Sequence, residues 1–319
     1  RDRIDIPQIT VDLSRNALLR GVIRPKGIEV RGASLTLKRD SEGQLSLATS
    51  AGTRLEQSPS VPDLMAAIAA QLDKPVLSQL NRLLFRDVTF RLSGRRLAHD
   101  VDLVDGFLGV SHRDGHLAVD VSAGVADAGE GASLRVRLDA DLSALDVSLF
   151  AELSNIESRF VAARFPKIPG LDALDAPVTA RLDGRMPKSG EIAELSGSVS
   201  IGTGSIALPK VGEPVEIDLI QAEARYGGGE SRLDIADLKI DSSRFAAHGE
   251  GRIDLAGVND ARGGHVVRLK LRDVFADVTP LIDDSAHVRE LFLEARARPD
   301  GTRIDICQLY AIDEATGAI

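Results

Sequence analysis

The sequence has 319 residues, of which 43% are apolar, 27% are charged and 3% are aromatic. This balance is typical of a globular chain. With 48 acidic against 39 basic residues, and a formal charge of -9, the chain lacks the basic surface of a nucleic-acid-binding protein. Its single cysteine, Cys307, excludes an internal disulfide framework and a cysteine-based zinc site.

Strict alternation of apolar and polar residues dominates the sequence and predicts half-buried strands, because successive side chains of a strand point to opposite faces. The first long example is VRGASLTLKRDSEGQLSLA at 30–48. Two further runs, 134–142 and 145–153, follow each other across Ser143 and Ala144. Other alternating runs cover 97–103, 117–123, 178–182, 195–208, 215–226, 233–240, 245–255, 267–271, 291–297 and 304–306.

Short glycine-containing segments separate many of these runs and predict hairpin turns. They are the segments at 40–43, 113–115, 227–229 and 299–301. Neighbouring strands are therefore expected to be antiparallel.

Helix is predicted in few places. Residues 62–72, PDLMAAIAAQL, combine a proline at the start, an acid in the first turn and apolar residues at helical spacing. After Lys74 and Pro75, residues 76–84 again carry leucines at helical spacing. Shorter helices are predicted at 156–165 and 274–282. The apolar stripe around Met65 is expected to pack on a sheet, with contact to a membrane as the alternative.

The sequence also predicts how the chain is organised. RGASLTL at 31–37 aligns with RDVTFRL at 86–92, a weak repeat with a spacing of 55 residues that does not amount to a strict repeat array. A first β segment is expected over 1–153, with a helical insert at about 62–84. A joint rich in proline and glycine follows at 154–177, and a second β segment covers 178–319. Because the chain begins without methionine and ends within a strand pattern, we expect it to be a piece of a longer protein.

A sheet with one apolar face must bury that face against a second layer or close on itself. Roughly fifteen to twenty strands are more than a small barrel or sandwich uses, and more than the predicted helices could cover. We therefore predict a mainly β fold, a long, strongly curved antiparallel sheet that forms an open groove with an apolar floor. The residues predicted to line it are Leu35, Leu37, Leu117, Val119, Val121, Leu134, Val136, Leu138, Leu145, Val147, Leu149, Val178, Leu182, Leu269 and Leu271.

Four features could instead carry chemistry, and each has a structural alternative that we favour. His112 and His116 could bind a metal, but no third ligand falls at a suitable spacing, and a hairpin tip explains them. The Gly-x-Gly of SIGTGS at 200–205 could hold a phosphate, yet a strand pattern follows it. Asp283 and Asp284 lack a partner nucleophile, and Cys307 lies in a strand pattern with an ambiguous face. We expect no catalytic residues, no metal and no cofactor.

Six segments in this order resemble the AsmA-like family, specifically its YhdP-type branch, over about residues 20 to 300. They are VRGASLTLKRDSEGQLSLA, VPDLMAAIAAQL, LSQLNRLLFRDVTFRL, LDALDAPVTARLDGRM, GTGSIALP and RFAAHGEGRIDL. The resemblance implies a periplasmic protein, tethered to the inner membrane by an N-terminal helix outside this sequence. It further implies a repeating β-groove that conducts phospholipid between the inner and outer membranes of a Gram-negative envelope.

The expected partners are therefore phospholipid acyl chains and, through the anchor, a membrane. Nucleic acid is not an expected partner. The alternative is a closed, β-rich structural or assembly scaffold of the cell envelope that conducts no lipid. A hydrolase acting on envelope polymers is disfavoured, because no nucleophile and base stand at a useful spacing.

Overall fold

The computed structural model describes residues 8–39, 45–49, 60–75, 77–94, 98–164, 171–207, 213–227, 232–254, 265–277, 285–297 and 304–313. Within these residues the fold is mainly β, as predicted, and the strands belong to a large mixed sheet that does not close. The sheet is mixed rather than antiparallel throughout, because β5 pairs in parallel with two earlier strands. The predicted curvature and groove stay predictions.

Nineteen strands lie in the described residues. They are β1 Gln8–Leu13, β2 Pro25–Arg31, β3 Ser34–Arg39, β4 Leu45–Thr49, β5 Arg82–Gly94, β6 Val101–Arg113, β7 His116–Val125, β8 Ser133–Asp141, β9 Asp146–Glu157, β10 Leu174–Asp175, β11 Pro177–Met186, β12 Glu194–Ile201, β13 Gly204–Ile206, β14 Val215–Gly227, β15 Arg232–Ser242, β16 Phe245–Asp254, β17 His265–Asp277, β18 Ser285–Ala297 and β19 Ile304–Asp313.

The helices of the described residues are α1 Arg15–Leu18, α2 Val61–Leu72, α3 Ser158–Arg164 and a 3-10 turn at Leu171–Ala173. Helix α2 matches the prediction for 62–72. Ser60 caps its N-terminus: the Oγ atom accepts a hydrogen bond from the Asp63 N–H at 3.2 Å and donates one to the Asp63 carboxylate at 2.5 Å. Such a cap satisfies a backbone donor that the first turn leaves unpaired. Helix α3 lies within the predicted 156–165.

Two predicted helices are wrong. Residues 77–80 form a turn, with the Leu80 N–H donating to the Leu77 carbonyl at 2.7 Å, and β5 begins at Arg82. The leucines there have helical spacing, but Leu83 and Leu84 pair with β2, so sheet contacts override the local pattern. Residues 274–277 continue β17 and pair with β18, where a helix was predicted over 274–282, and residues 278–282 of that prediction lie outside the described residues.

The chain is organised as two compact units, and each is discontinuous in sequence. The first comprises Arg1–Leu153 and Asp183–Ala193, and the second comprises Ser154–Leu182 and Glu194–Ile319.

In the first unit, β5 contains the second copy of the weak repeat. One edge of β5 pairs with β2 and β3, which contain the first copy. Its first half pairs in parallel with β2, and its second half pairs in parallel with β3. Each residue faces the residue 55 positions later, as Gly27 faces Arg82 and Ser34 faces Thr89. The two copies of the weak repeat therefore lie side by side in the sheet.

Both copies bend at the same repeat position. Gly32 has φ +74° and Asp87 has φ +55°, so both take the left-handed conformation. The Gly32 N–H donates to the Arg86 carbonyl at 3.1 Å, and the Thr89 N–H donates to the Ala33 carbonyl at 3.1 Å. These two hydrogen bonds lie at the bend, between the β2–β5 pairing on one side and the β3–β5 pairing on the other.

From β5 to β8 each strand of the first unit pairs antiparallel with the next. The hairpin between β6 and β7 turns at Asp114 and Gly115, with φ +52° and +79°, which is the two-residue turn predicted at 113–115. The predicted turns at 40–43 and 299–301, and most of the one at 227–229, lie outside the described residues.

Helix α2 packs against one face of the first unit and forms its main core. Met65 and Leu72 of the helix contact a cluster that includes Leu117 of β7 and Val147 of β9. Met186, from the second stretch of the unit, belongs to the same cluster.

In the second unit, β10 pairs with β13, and both β12 and β13 pair with β14. From β14 to β19 each strand pairs antiparallel with the next. Two small clusters are buried, one around Leu174, Ala176 and Ile217 and one around Ala247, Leu271 and Val274.

Candidate functional site: an apolar sheet face

A row of apolar side chains crosses six strands of the first unit. Directly paired residues of neighbouring strands lie on the same face, and the registers join the residues of this row one after another. We call them the apolar row: Ile9, Val30, Phe85, Leu108, Val121 and Val136. Five strand spacings of about 4.8 Å give it a length of about 24 Å along the sheet.

The apolar row lies between two buried rows of the same face. On one side Leu35, Phe90, Leu103 and Val125 face each other in register and are all buried. On the other side Val110 and Val119 are buried in the core that contains α2.

The apolar row itself keeps contact with solvent. Ile9 is 60% exposed, and the other five side chains are half-buried. None of the described residues seals the row completely.

The second unit carries a similar row across five strands. Leu195 of β12 faces Tyr226 of β14, which faces Leu233 of β15; Ile253 of β16 and Val267 of β17 follow in register. All five side chains are half-buried.

Glycines lie on this face of the second unit where neighbouring strands approach closely. A Cβ atom at Gly249 would lie 2.6 Å from the Leu271 Cδ2 atom and 2.6 Å from the Lys270 carbonyl oxygen. At Gly251 a Cβ would lie 2.5 Å from the Arg268 carbonyl oxygen. Leu269 and Leu271, both predicted to line the groove, therefore each lie close to a glycine of the neighbouring strand, and both also belong to the apolar cluster around Ala247 and Val274.

The opposite face of the first unit is polar and held by ion pairs between neighbouring strands. Arg137 Nη2 lies 2.8 Å from the Asp120 carboxylate, and Arg91 Nε lies 2.7 Å from that of Asp102. Arg185 donates to Asp146 at 2.8 Å, and this hydrogen bond lowers the pKa of Asp146. Exposed pairs of this kind add little stability each. They make this face of the sheet polar, whereas the opposite face is apolar.

The fifteen predicted lining residues divide into two groups. Five are buried in closed core: Leu35, Leu117, Val119, Val147 and Leu271. The other ten are half-buried: Leu37, Val121, Leu134, Val136, Leu138, Leu145, Leu149, Val178, Leu182 and Leu269. Val121 and Val136 belong to the apolar row.

Leu145 differs from the other lining candidates because it lies in the turn before β9, with φ +53°. Asp141 organises that turn. Its Oδ1 atom accepts hydrogen bonds from the Ser143 hydroxyl at 2.6 Å and from the Ser143 N–H at 2.8 Å. The hydroxyl bond, followed by the backbone N–H groups of Ser143 and Ala144, lowers the pKa of Asp141.

Four members of the apolar row, Ile9, Val30, Phe85 and Leu108, were missed by sequence reasoning. Val30 lies between Glu29 and Arg31, so its alternation signal was present, whereas Leu108 directly follows Phe107, so alternation does not single it out. Phe85 directly follows 76–84, whose leucines predicted helix. Only the strand registers, of which β2–β5 is parallel, show that these residues share a face with Val121.

The structure shows where the two histidines and the Gly-x-Gly motif lie, which the sequence raised as candidate metal and phosphate sites. In register, His112 faces Leu117 while His116 faces Arg113, which sets the two histidines on opposite faces. In SIGTGS, Gly204 begins β13, and a Cβ there would overlap the Asp175 carbonyl oxygen. Close backbone approach therefore explains that glycine.

No group of three or more potential metal ligands is present in the part of the chain that the structure describes. Asp283 and Asp284 lie outside those residues. The backbone of Cys307 belongs to β19.

None of the helices in the described ranges has the length and apolar character needed to cross a membrane. Comparison with protein-family models, curated proteins and solved structures finds no match.

Proposed function

We propose that this chain is a segment of a periplasmic, inner-membrane-anchored protein that shields phospholipid acyl chains and conducts them between two membranes. The acyl chain would lie along the apolar row, and the head group would stay in water. The proposal requires no catalytic residue, metal or cofactor.

The half-buried apolar row between two buried rows is the observation that supports this function. Its length of about 24 Å exceeds the ~15 Å that one acyl chain occupies in half of a bilayer core. Aliphatic side chains predominate in it, and they provide a surface without strong directional preference.

The energetic argument depends on chain length. Burial of one CH₂ group is worth about 0.8 kcal/mol, so a chain of about sixteen carbons gains ~12 kcal/mol when fully withdrawn from water. A row that stays partly open recovers a fraction of this value. That is compatible with sliding rather than permanent binding.

A second candidate is a closed envelope scaffold that holds no lipid. The burial of Leu117, Val119 and Val147 beneath the α2 core favours it, because these side chains are already covered by the protein itself. The same experiment separates the two functions.

The test is lipid loading at defined positions. A photo-reactive benzoylphenylalanine replaces Val121 or Val136 in the apolar row, and Arg135 or Arg137 on the opposite face in control variants. After incubation with phospholipid vesicles and illumination, we expect lipid adducts by mass spectrometry at the first two positions only.

A charge in the row provides an independent check. Val136→Asp should reduce lipid uptake about tenfold or more, because an unpaired carboxylate is costly in an apolar site, whereas Arg135→Asp should leave uptake unchanged. Circular dichroism confirms that both variants are folded. Absence of adducts at all four positions, or equal adducts on both faces, would overturn the conduit and favour the scaffold.

A further inference from the structure

A second feature of the first unit is a basic hollow at the ends of β2, β5 and β6, on the polar side of the sheet. It has a volume of about 680 Å³. Three basic side chains line it, Lys26, Arg82 and Arg113, against the single carboxylate of Asp12. The amide of Asn81 and the hydroxyl of Ser111 add neutral polar groups.

The strand register creates the hollow. Asp12, Gly27, Arg82 and Ser111 are paired one after another across β1, β2, β5 and β6, so they lie in one row. Gly27 has no side chain to fill its place in that row. A Cβ there would lie 3.1 Å from the Asp12 Oδ2 atom.

Backbone hydrogen bonds fix the rim of the basic hollow. The Asn81 N–H donates to the Lys26 carbonyl at 3.0 Å, and the His112 N–H donates to the Asn81 carbonyl at 3.2 Å. These two bonds tie together the ends of the three strands and so hold Lys26 and Arg113 beside the same hollow.

The positive charge of the basic hollow is poorly neutralised. Arg82 Nη2 lies 4.0 Å from the Asp12 carboxylate, with both side chains more than 60% exposed. Elsewhere on this face the pair of Arg137 and Asp120 is closer, at 2.8 Å. Among the described residues, Lys26 and Arg113 have no carboxylate within ion-pair distance.

We propose that the basic hollow binds a phosphate group. Guanidinium groups hold phosphate oxygens with directed hydrogen bonds, and a lysine ammonium adds a point charge. Asn81 and Ser111 supply further donors at the same hollow. The positive charge and the several donors of the hollow suit an anion with several acceptor oxygens, such as phosphate.

Two sources could supply this phosphate, the free anion and a phospholipid head group. A cavity of about 710 Å³ shares Asn81 and Arg113 with the basic hollow, and its lining includes Leu80 and Leu142 as well as the acidic residues Asp73 and Asp114. Two leucines therefore lie beside the basic hollow at these strand ends, in a cavity that is otherwise polar. The head-group source rests on the proposed lipid function, whereas the free anion does not.

The first arm uses inorganic phosphate. Titration of the isotope-labelled chain at constant ionic strength should give saturable shifts of the Gly27 and Ser111 amide signals. Lys26→Gln and Arg113→Gln should each weaken binding by roughly three- to tenfold. Asp12→Asn should strengthen it about threefold, because it removes the carboxylate that lines the basic hollow.

Arg135→Gln is the matched control, because it removes one exposed charge from the same sheet face outside the basic hollow. It should leave the phosphate affinity within about twofold of the parent. No saturable shift, or an equal loss in Arg135→Gln, would overturn the site. Tightening by Asp12→Asn is an effect that general misfolding would not produce.

The second arm identifies the source with phosphatidylglycerol vesicles. If the head group occupies the basic hollow, inorganic phosphate should compete with lipid uptake, and the Lys26→Gln, Arg113→Gln double variant should take up about tenfold less lipid. If phosphate binds but does not compete with lipid uptake, and the double variant takes up lipid normally, the ligand of the basic hollow is the free anion rather than a head group. That result would leave the phosphate site standing even if the lipid conduit fails.

Discussion

At the scale of single residues, backbone conformation singles out Gly32. Its φ of +74° is left-handed, and a Cβ atom there would meet nothing within 4 Å. Gly32→Ala should therefore destabilise the fold by about 1–2 kcal/mol through backbone strain alone. The measurement is urea unfolding followed by circular dichroism.

Gly227→Ala is the matched control for Gly32→Ala. Gly227 also has open space around its Cα, but its backbone is not left-handed. Alanine there should be neutral or slightly stabilising, because it reduces the entropy of the unfolded chain. Equal destabilisation by both variants would contradict backbone strain as the cause.

Asp141 gives a prediction of pH dependence at the same scale. Hydrogen bonds from Ser143 and Ala144 hold its pKa below the ordinary value in the folded state. Its contribution to stability is therefore complete above the unfolded pKa of about 3.9, and it is lost as the pH falls through the folded pKa.

Asp141→Asn keeps an oxygen that can accept the same bonds but cannot titrate. The unfolding free energy of this variant should fall less steeply than that of the parent as the pH drops below about 4. Urea unfolding at several pH values measures both slopes. Identical slopes would show that Asp141 does not contribute to the acid sensitivity.

At the scale of secondary-structure elements, the parallel register of β3 and β5 can be tested by cross-linking. Ser34 and Thr89 face each other in register and are both exposed. In a Cys307→Ser background, the Ser34→Cys, Thr89→Cys pair should form a disulfide on mild oxidation, since directly paired Cα atoms lie within disulfide reach. Non-reducing electrophoresis and mass spectrometry detect the bond.

Thr36→Cys, Thr89→Cys is the out-of-register control. Thr36 faces Arg91, so Thr36 and Thr89 are diagonal neighbours, about 8 Å apart between Cα atoms. This pair should oxidise poorly. Preferential cross-linking of the control would mean that the parallel register is wrong.

The elements differ in how far the sequence could predict them. Antiparallel hairpins such as β6–β7 were predictable, because alternation defines the faces and Asp114 and Gly115 define the turn. Helix α2 was predictable because Pro62 and Asp63 mark its start. The parallel pairing of β5 was not, since it joins residues 55 positions apart and no local signal specifies a partner at that distance.

The candidate site was predictable only in part, for the same reason. Alternation identifies Val121 and Val136 as members of an apolar face but does not reveal which neighbours cover them. Leu117, four residues earlier than Val121 on the same face, is 0% exposed because it packs in the α2 core. Burial therefore depends on a tertiary contact that is absent from the strand pattern.

At the scale of the whole molecule, the first compact unit depends on a stretch that is distant in sequence. Met186 is buried in the core that contains α2, although residues 154–182 separate its stretch from the rest of the unit. Met186→Ala should cost about 2–5 kcal/mol. Hydrogen exchange of the α2 amides should rise more than that of the β16 amides in the second unit.

Lys188→Ala provides a control in the same stretch, since its side chain is exposed. It should leave exchange in both units unchanged. Equal acceleration in α2 and β16 after Met186→Ala would indicate that the two units unfold as a single cooperative body instead.

The matched bends at Gly32 and Asp87 also bear on how this gene can vary. Added or lost codons in the connection between the two copies leave their alignment intact. A single codon gained inside 27–39 or 82–94 would shift one copy by one residue, so that its bend lies opposite extended backbone of the other copy. The apolar side chains beyond the insertion would then face solvent. Natural length variation should therefore be concentrated between the copies and absent within them.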